Sequence, residues 1–452
     1  MKKKVIIAII AAAVLITGGG LTAGLTYVHN KTKVYSNIML PGVKIENENV
    51  SDKTKDEAKN IITFKYQNVM LQKKINIKAG DKTYTIDYSK LNGKYNIDET
   101  INDAFNYGKS LNMFELYKII KNAPSKQYNL KFTYDDKPVK DLVSSIAKEV
   151  NKNPSNAGIG MESKGKFNVV KDIKGNKLNE DKLQKDIISQ INGSIINSST
   201  DVAAEINQVN ANITEDTLSK INTLIASFST DYSSSSYNRA TNIELATSAI
   251  NGKWLIPGDT FSFNDTVGER TAARGYKEAP VLIGNKADSG LGGGICQVSS
   301  TLYNAIARAS INATERTHHT LPSSYVELGM DATVDYGNID FKFKNTLSFP
   351  IYIEGITNNR TITFNIYSND SLAKNTYDLV NEIYAQQQPS VKYINDSSLP
   401  LGQQVVDQYS HIGYKVKVYR KKFENGVFVS QELVSDDNYL PADEIIKVGT
   451  KK

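Results

Sequence analysis

The longest apolar run of the chain lies at its start. From Val5 to Val28 no residue is charged, and Lys2, Lys3 and Lys4 stand directly before it. Those 24 residues exceed the roughly 20 that a helix needs to cross a bilayer core. They also exceed the apolar core of a cleaved signal peptide, about 7–15 residues. The pattern predicts a transmembrane signal anchor over residues 1–29, with the lysines inside and everything after His29 outside.

Beyond the anchor the pattern switches between helical and strand periods. Asp52–Phe64 is amphipathic at helical spacing, Ile75–Tyr88 alternates as a strand, and Asp98–Tyr107 buries Ile101, Ala104 and Phe105 on one helix face. Pro124 and Ser125 mark a boundary, giving a membrane-proximal α+β domain over 30–127. A second unit over 128–222 repeats the mixture: a strand at Tyr128–Tyr134, a helix at Val139–Val150 broken by Asn153-Pro154, strands in Gly158–Val170 and a helix at Leu178–Ile191.

A third α+β domain is expected over 223–370. It opens on a polar extended stretch, Ser227–Tyr237, and a helix over Arg239–Asn251 with Ile243, Ala246, Ala249 and Ile250 inward. Val298, Leu302, Ile306 and Ala309 recur at helical spacing behind the glycines Gly292, Gly293 and Gly294. Ala332–Lys344, Phe349–Gly355 and Thr361–Tyr367 read as three strands of an antiparallel meander. In the remainder, 371–452, Asn375–Gln388 reads as a polar helix or linker. It leads to a small β-rich module whose hairpin, Tyr414–Arg420 with Val427–Leu433, closes on Glu424-Asn425-Gly426. The fold class is therefore α+β multidomain.

Composition narrows the function classes. A net charge of +6 over 452 residues, without a dense basic block beyond the N-terminus, argues against nucleic acid as a partner. Cys296 is the one cysteine, so no intramolecular disulfide forms. An unpaired thiol in an exported protein points to intermolecular pairing or reactivity. One thiol and four scattered histidines give no zinc-ligand spacing, and no metal or other cofactor is expected. The glycines lack the following Gly-Lys-Ser/Thr of a phosphate loop.

The glycine run delivers Cys296 to the first turn of a helix, where the positive end of the dipole favours the thiolate. His318 and His319 follow that helix and can return toward the thiol. A Cys–His pair is the minimum set for thiol acyl transfer, with imidazole moving the proton. Asp331, ahead of Asp335 and Asp340, is the expected orienting carboxylate. Backbone N–H groups of the glycine turn (Gly293, Gly294) and of Cys296 would meet the oxyanion.

Four blocks, Pro257–Leu282, GGGICQVSSTLYNA (Gly292–Ala305), ERTHHTLPSSYVELGMDATVDYG (Glu315–Gly337) and Ile339–Ile353, together resemble the VanW family. Residues 128–222 resemble the peptidoglycan-binding-type domain that often precedes it, and the tail resembles, more loosely, the small glycine-named surface module found with it. The resemblance implies two wall-binding-type domains ahead of an extracytoplasmic catalytic domain facing the cell wall of a Gram-positive cell. It also implies peptidoglycan L,D-transpeptidase activity forming 3-3 cross-links, with Cys296 as nucleophile and His319 as its partner. Tetrapeptide stems would then be the substrate, with D-alanine released. Arg270, Arg274 or Arg316 would hold stem carboxylates, and Trp254, Tyr276 and Tyr303 would wall the groove. The alternatives are a cysteine peptidase of the wall, or a non-catalytic peptidoglycan-binding protein linked to glycopeptide resistance.

Overall fold

The computed structural model describes residues 2–193, 199–283 and 286–451. The chain divides into two units, 1–154 with 174–210, and 155–173 with 211–452. It is a mixed α+β protein with an apolar N-terminal helix, antiparallel sheets and a β-rich C-terminal region.

In the first unit the apolar run forms the helix Lys2–Lys33, long and apolar enough to cross a membrane. The predicted amphipathic helix starts later than its pattern, as Lys55–Ile62, because Thr54 caps it, and it continues through a π turn, Thr63–Gln67, into Asn68–Leu71. The Thr54 hydroxyl accepts from the Glu57 N–H while the Glu57 carboxylate accepts from the Thr54 N–H. The stretch read as one strand is a hairpin, Lys74–Ala79 with Lys82–Asp87, extended by Ser199–Ala203 in parallel. One core joins Met39, Ile62, Ile77, Ile101, Ile146 and Ile187, so residues on both sides of the Pro124-Ser125 boundary pack together.

The second unit is built on an antiparallel sheet in the order Thr223–Asp231, Thr361–Ser368, Ile351–Asn358 and Lys253–Leu255. The helices Tyr237–Ile250 and Ile295–Arg308 share its main core with Phe364 and Ile366. The hairpin Gly158–Ser163 with Lys166–Val170 sets Phe167 edge-on against Tyr352 and Tyr367 in a separate apolar cluster.

Two expected elements differ. Of the stretch read as the first meander strand, only Lys342–Lys344 is a strand, and it pairs with Thr260–Ser262 and Ala313–Glu315 rather than with the main sheet. Its earlier residues satisfy their backbone on the cysteine helix instead. The Ala332 carbonyl accepts from the Ser299 hydroxyl (2.6 Å), the Ala332 N–H donates to Ser300 Oγ (2.9 Å), and Asn304 donates to the Met330 carbonyl (2.7 Å). The expected polar helix or linker is a strand, Asn375–Gln387, laid along Gly413–Glu424, which in turn pairs with Val427–Tyr439. Leu379 is its one buried residue, too sparse a signal to reveal a period of two. The hairpin turn forms as the residues demand, with Asn425 and Gly426 both at positive φ.

Candidate active site

The glycine turn is held by backbone approach. At Gly293 an added Cβ would sit 2.6 Å from the carbonyl oxygens of both Ala279 and Pro280. The fully buried Asn242 donates to the Gly293 and Lys277 carbonyls and accepts from the Lys277 N–H. Gly294, at φ +104°, is the N-cap of the helix Ile295–Arg308, which makes Cys296 its second residue. Gln297, next along, is clamped by Arg239 on its oxygen and by Thr230 and the Asp231 carbonyl on its nitrogen, which fixes the first turn. The helix is buried nearly all round, including Ser299, Ser300, Thr301 and Asn304, because those side chains bond the backbone of 330–332 or their own helix.

Cys296 is half-buried, with its thiol 3.5 Å from the Val334 carbonyl and the His319 ring near enough to act on it electrostatically. His319 Nδ1 lies 2.5 Å from Asp331 Oδ2, which also accepts from the His319 N–H at 2.6 Å. That leaves Nε2 for the thiol, with the Tyr325 hydroxyl 3.4 Å away. Burial raises the Cys296 pKa, but the hydrogen bond and charge of His319, the Val334 contact and the nearby Arg270 outweigh it and bring the thiol below its usual value. Burial works against the imidazolium of His319 as well, yet Asp331 and Cys296 raise it to about 9. Asp331 is lowered to about 2 by His319 and Tyr439 against the cost of its burial. Asp331 is thus bonded to His319, and the shifts of Cys296 and His319 run in the direction that favours a thiolate beside an imidazolium.

The other expected residues fall in different places. His318 turns aside, its Nδ1 2.7 Å from the His319 carbonyl and its ring against Tyr439. Asp335 bonds Asn338, and Asp340 accepts from Ser262 and the Asn264 N–H, so both hold loops. Gly292 and Gly293 direct their N–H groups to the Lys277 and Gly290 carbonyls. Arg270 stacks over Phe263 and Tyr336 and donates from Nη1 to Asn264. Its Nη2 is buried without a hydrogen-bond partner among the described residues. Arg274 is spent on the Glu269 and Val267 carbonyls across Gly268. Arg316 is spent too, on Asp437 twice from Nη1 and on the Asp331 and Gly329 carbonyls, with its side chain only 9% exposed. Neither arginine is placed to hold a substrate carboxylate. Tyr303 and Tyr276 are core residues, and Trp254 sits in the separate cluster with Tyr352, so none of the three walls a groove at the thiol.

Sequence reasoning missed Arg239, Tyr325 and Tyr439. Tyr325 lies within the His-bearing block, where a tyrosine six residues past His319 was the available signal. Arg239 and Tyr439 come from remote segments and carry none.

Comparison with known proteins follows this geometry. Residues 238–367 match the family described as VanW like protein, 84–197 the "Putative peptidoglycan binding domain", and 381–451 the G5 domain. The chain is 42% identical over 146 residues to "Uncharacterized protein YoaR" of Bacillus subtilis (strain 168), covering 32% of this chain and 48% of that one. It is 32% identical over 113 residues to "Vancomycin B-type resistance protein VanW" of Enterococcus faecalis (strain ATCC 700802 / V583), covering 24% and 41%. The matches thus span less than half the length of either relative. The solved IgA1 protease G5 domain is similar at 28% identity over 18% of this chain and 95% of that chain, with a TM-score of 0.14. Cys296, His319 and Asp331 all lie within the first match, residues 238–367, in a chain whose other segments match a peptidoglycan-binding domain and a G5 domain.

Proposed function

We propose that the protein is a cell-wall acyltransferase that uses Cys296 as nucleophile on peptidoglycan stem peptides, as an L,D-transpeptidase forming 3-3 cross-links. The observation that carries this reading is the contact sequence Cys296–His319–Asp331 at a helix N-terminus. The peptidoglycan-binding-type and G5 domains, and the relative named for vancomycin resistance, support the wall as the place of action. The N-terminal helix would anchor the protein with the catalytic part outside.

In the first half-reaction the Cys296 thiolate adds to the carbonyl carbon of the third stem residue. The oxyanion is met by the Gly294 and Cys296 N–H groups. His319 passes its proton to the departing nitrogen, the C–N bond breaks and D-alanine leaves, giving a thioester. In the second half a side-chain amine of a neighbouring stem adds to the thioester, loses a proton to His319, and the thiolate departs. Asp331 holds the tautomer and orientation throughout. Arg270, with its unpartnered Nη2, would pair with the free carboxylate of the stem terminus.

The test is incubation of the purified protein with disaccharide-tetrapeptide and product analysis by mass spectrometry. Cross-linked dimer that disappears in Cys296→Ala supports the reading. Dimer yield unchanged in that variant overturns it. Trimmed monomer without dimer makes the protein a peptidase on the same residues, and retention on wall without turnover makes it a binding protein.

A further inference from the structure

The orienting carboxylate of the site is itself held from outside the segment that matches the VanW family. The Tyr439 hydroxyl donates to Asp331 Oδ1 at 2.5 Å and accepts from the Gly329 N–H at 2.8 Å. Tyr439 is the last residue of the strand Val427–Tyr439, 108 residues beyond Asp331, and is only 1% exposed. Two residues earlier, Asp437 takes both its oxygens to Arg316 Nη1, at 2.7 and 2.8 Å. Arg316 in turn donates to the Asp331 carbonyl at 2.7 Å. Gly329, at φ +82°, lies flat against Val418, so the loop carrying Asp331 is pressed onto the C-terminal sheet with no room for a side chain. Asn381 and Arg420 add contacts to the Leu328 and Ala307 carbonyls.

We infer that Tyr439 of the C-terminal module is a positioning residue of the catalytic centre, holding Asp331 so that its other oxygen faces His319. The inference rests on the acyl-transfer reading of the site. Its physical basis is a competition for Asp331. Arg316 Nη2 stands 3.4 Å from the same Oδ1. Without the phenol, that oxygen is drawn to the guanidinium and the carboxylate turns away from the imidazole. A charge-assisted hydrogen bond in a buried site is short and directional enough to set that balance. The groups around the pair are Arg316 and Asp437 beside Asp331, and His318 against the Tyr439 ring. The Arg316 guanidinium also stands over the Tyr303 ring, 5.3 Å from its centroid, and the Tyr325 hydroxyl lies 3.4 Å from His319 Nε2, with Cys296 acting on both His319 and Tyr325. In this arrangement the G5 region is part of the reaction centre as well as a candidate wall-binding module.

The experiment is the pH profile of Cys296 alkylation by iodoacetamide in the full chain, compared with Tyr439→Phe and Asp378→Asn. The phenylalanine keeps the ring packing and removes only the hydroxyl. Asp378 ties the same module to Arg308 (3.1 Å to Nε) without touching Asp331, so its loss reports on docking alone. The expected result is that Tyr439→Phe moves the thiol titration up by about one pH unit, a tenfold loss of thiolate on the acid limb. Asp378→Asn leaves the profile in place. A profile unmoved by Tyr439→Phe, or moved equally by both substitutions, overturns the inference while the reading of the site stands. A parent protein whose thiol already titrates in the ordinary range sinks that reading and this inference together.

Discussion

His319 Nδ1 and Asp331 Oδ2 lie 2.5 Å apart, and the same carboxylate oxygen receives the His319 backbone N–H. Two bonds from one residue to one oxygen fix the ring plane as well as its tautomer, which is what an acid–base imidazole needs before it meets a substrate.

The charge state of that pair gives a pH window. His319 titrates near 9 rather than at the ordinary value of 6.5, so its folded pKa is raised. The raised value contributes stability that is fully present below the unfolded pKa and is lost as pH rises through about 9. Cys296 is lowered by the same contact. Alkylation of Cys296 should therefore persist to lower pH than that of a free thiol. In His319→Ala it should retreat to the range of a free thiol, about pH 8.5, or above it, because burial raises the thiol. A profile unchanged by that substitution, followed by mass spectrometry, would show that the imidazole does not activate the thiol.

Replacing Asp331 by Asn keeps the shape and removes the counter-ion. The expected outcome is a fall in kcat for cross-link formation of about 10² or more, with substrate binding little changed. Steady-state kinetics on the disaccharide-tetrapeptide checks it. A change confined to KM counts against an orienting role.

Among the described residues Arg270 Nη2 is buried with no hydrogen-bond partner, as Arg360 Nη1 is, and Arg270 is the one of the two whose charge acts on Cys296. In Arg270→Met the KM for stems with a free terminal carboxylate should rise by roughly ten- to a hundredfold, the worth of a charge-assisted hydrogen bond. Stems amidated at that terminus should show little difference between the two proteins. Equal loss on both substrates would mean that Arg270 acts on the thiol alone.

Gly293 has no space for a methyl group, since the two carbonyl oxygens 2.6 Å away belong to backbone. Gly293→Ala should lower stability by about 1–3 kcal/mol through overpacking and displace the turn before Cys296. A thermal melt and the alkylation rate, measured together, read both effects. An unchanged melting temperature would mean that the turn relaxes freely.

Much of this site was legible along the chain. Cys296, its glycine turn and its helix are neighbours in sequence, and local geometry follows from residues that are local. The Cys296–His319 contact was allowed by the chain length between them, and Asp331 was picked from three carboxylates on the same stretch. The stretch from Ala332 was misread as a meander strand because its partners are hydroxyls and amides on the cysteine helix, which periodicity counts as polar and therefore outward. Arg316 was misread for a related reason: a guanidinium near a nucleophile looks free until a carboxylate from residue 437 is seen to occupy it.

The sequence by itself determined an apolar helix long enough to span a bilayer, an α+β chain, and a lone thiol delivered to a helix N-terminus by glycines. Those are properties of consecutive residues. Only the tertiary structure showed that the His319 ring bonds Asp331, that Arg270 beside the thiol keeps a buried donor unspent, and that a tyrosine from the C-terminal module bonds the same carboxylate. Each of these depends on which buried polar group finds which partner across the fold, and hydrogen-bond satisfaction in a core is settled by three-dimensional packing rather than by spacing along the chain.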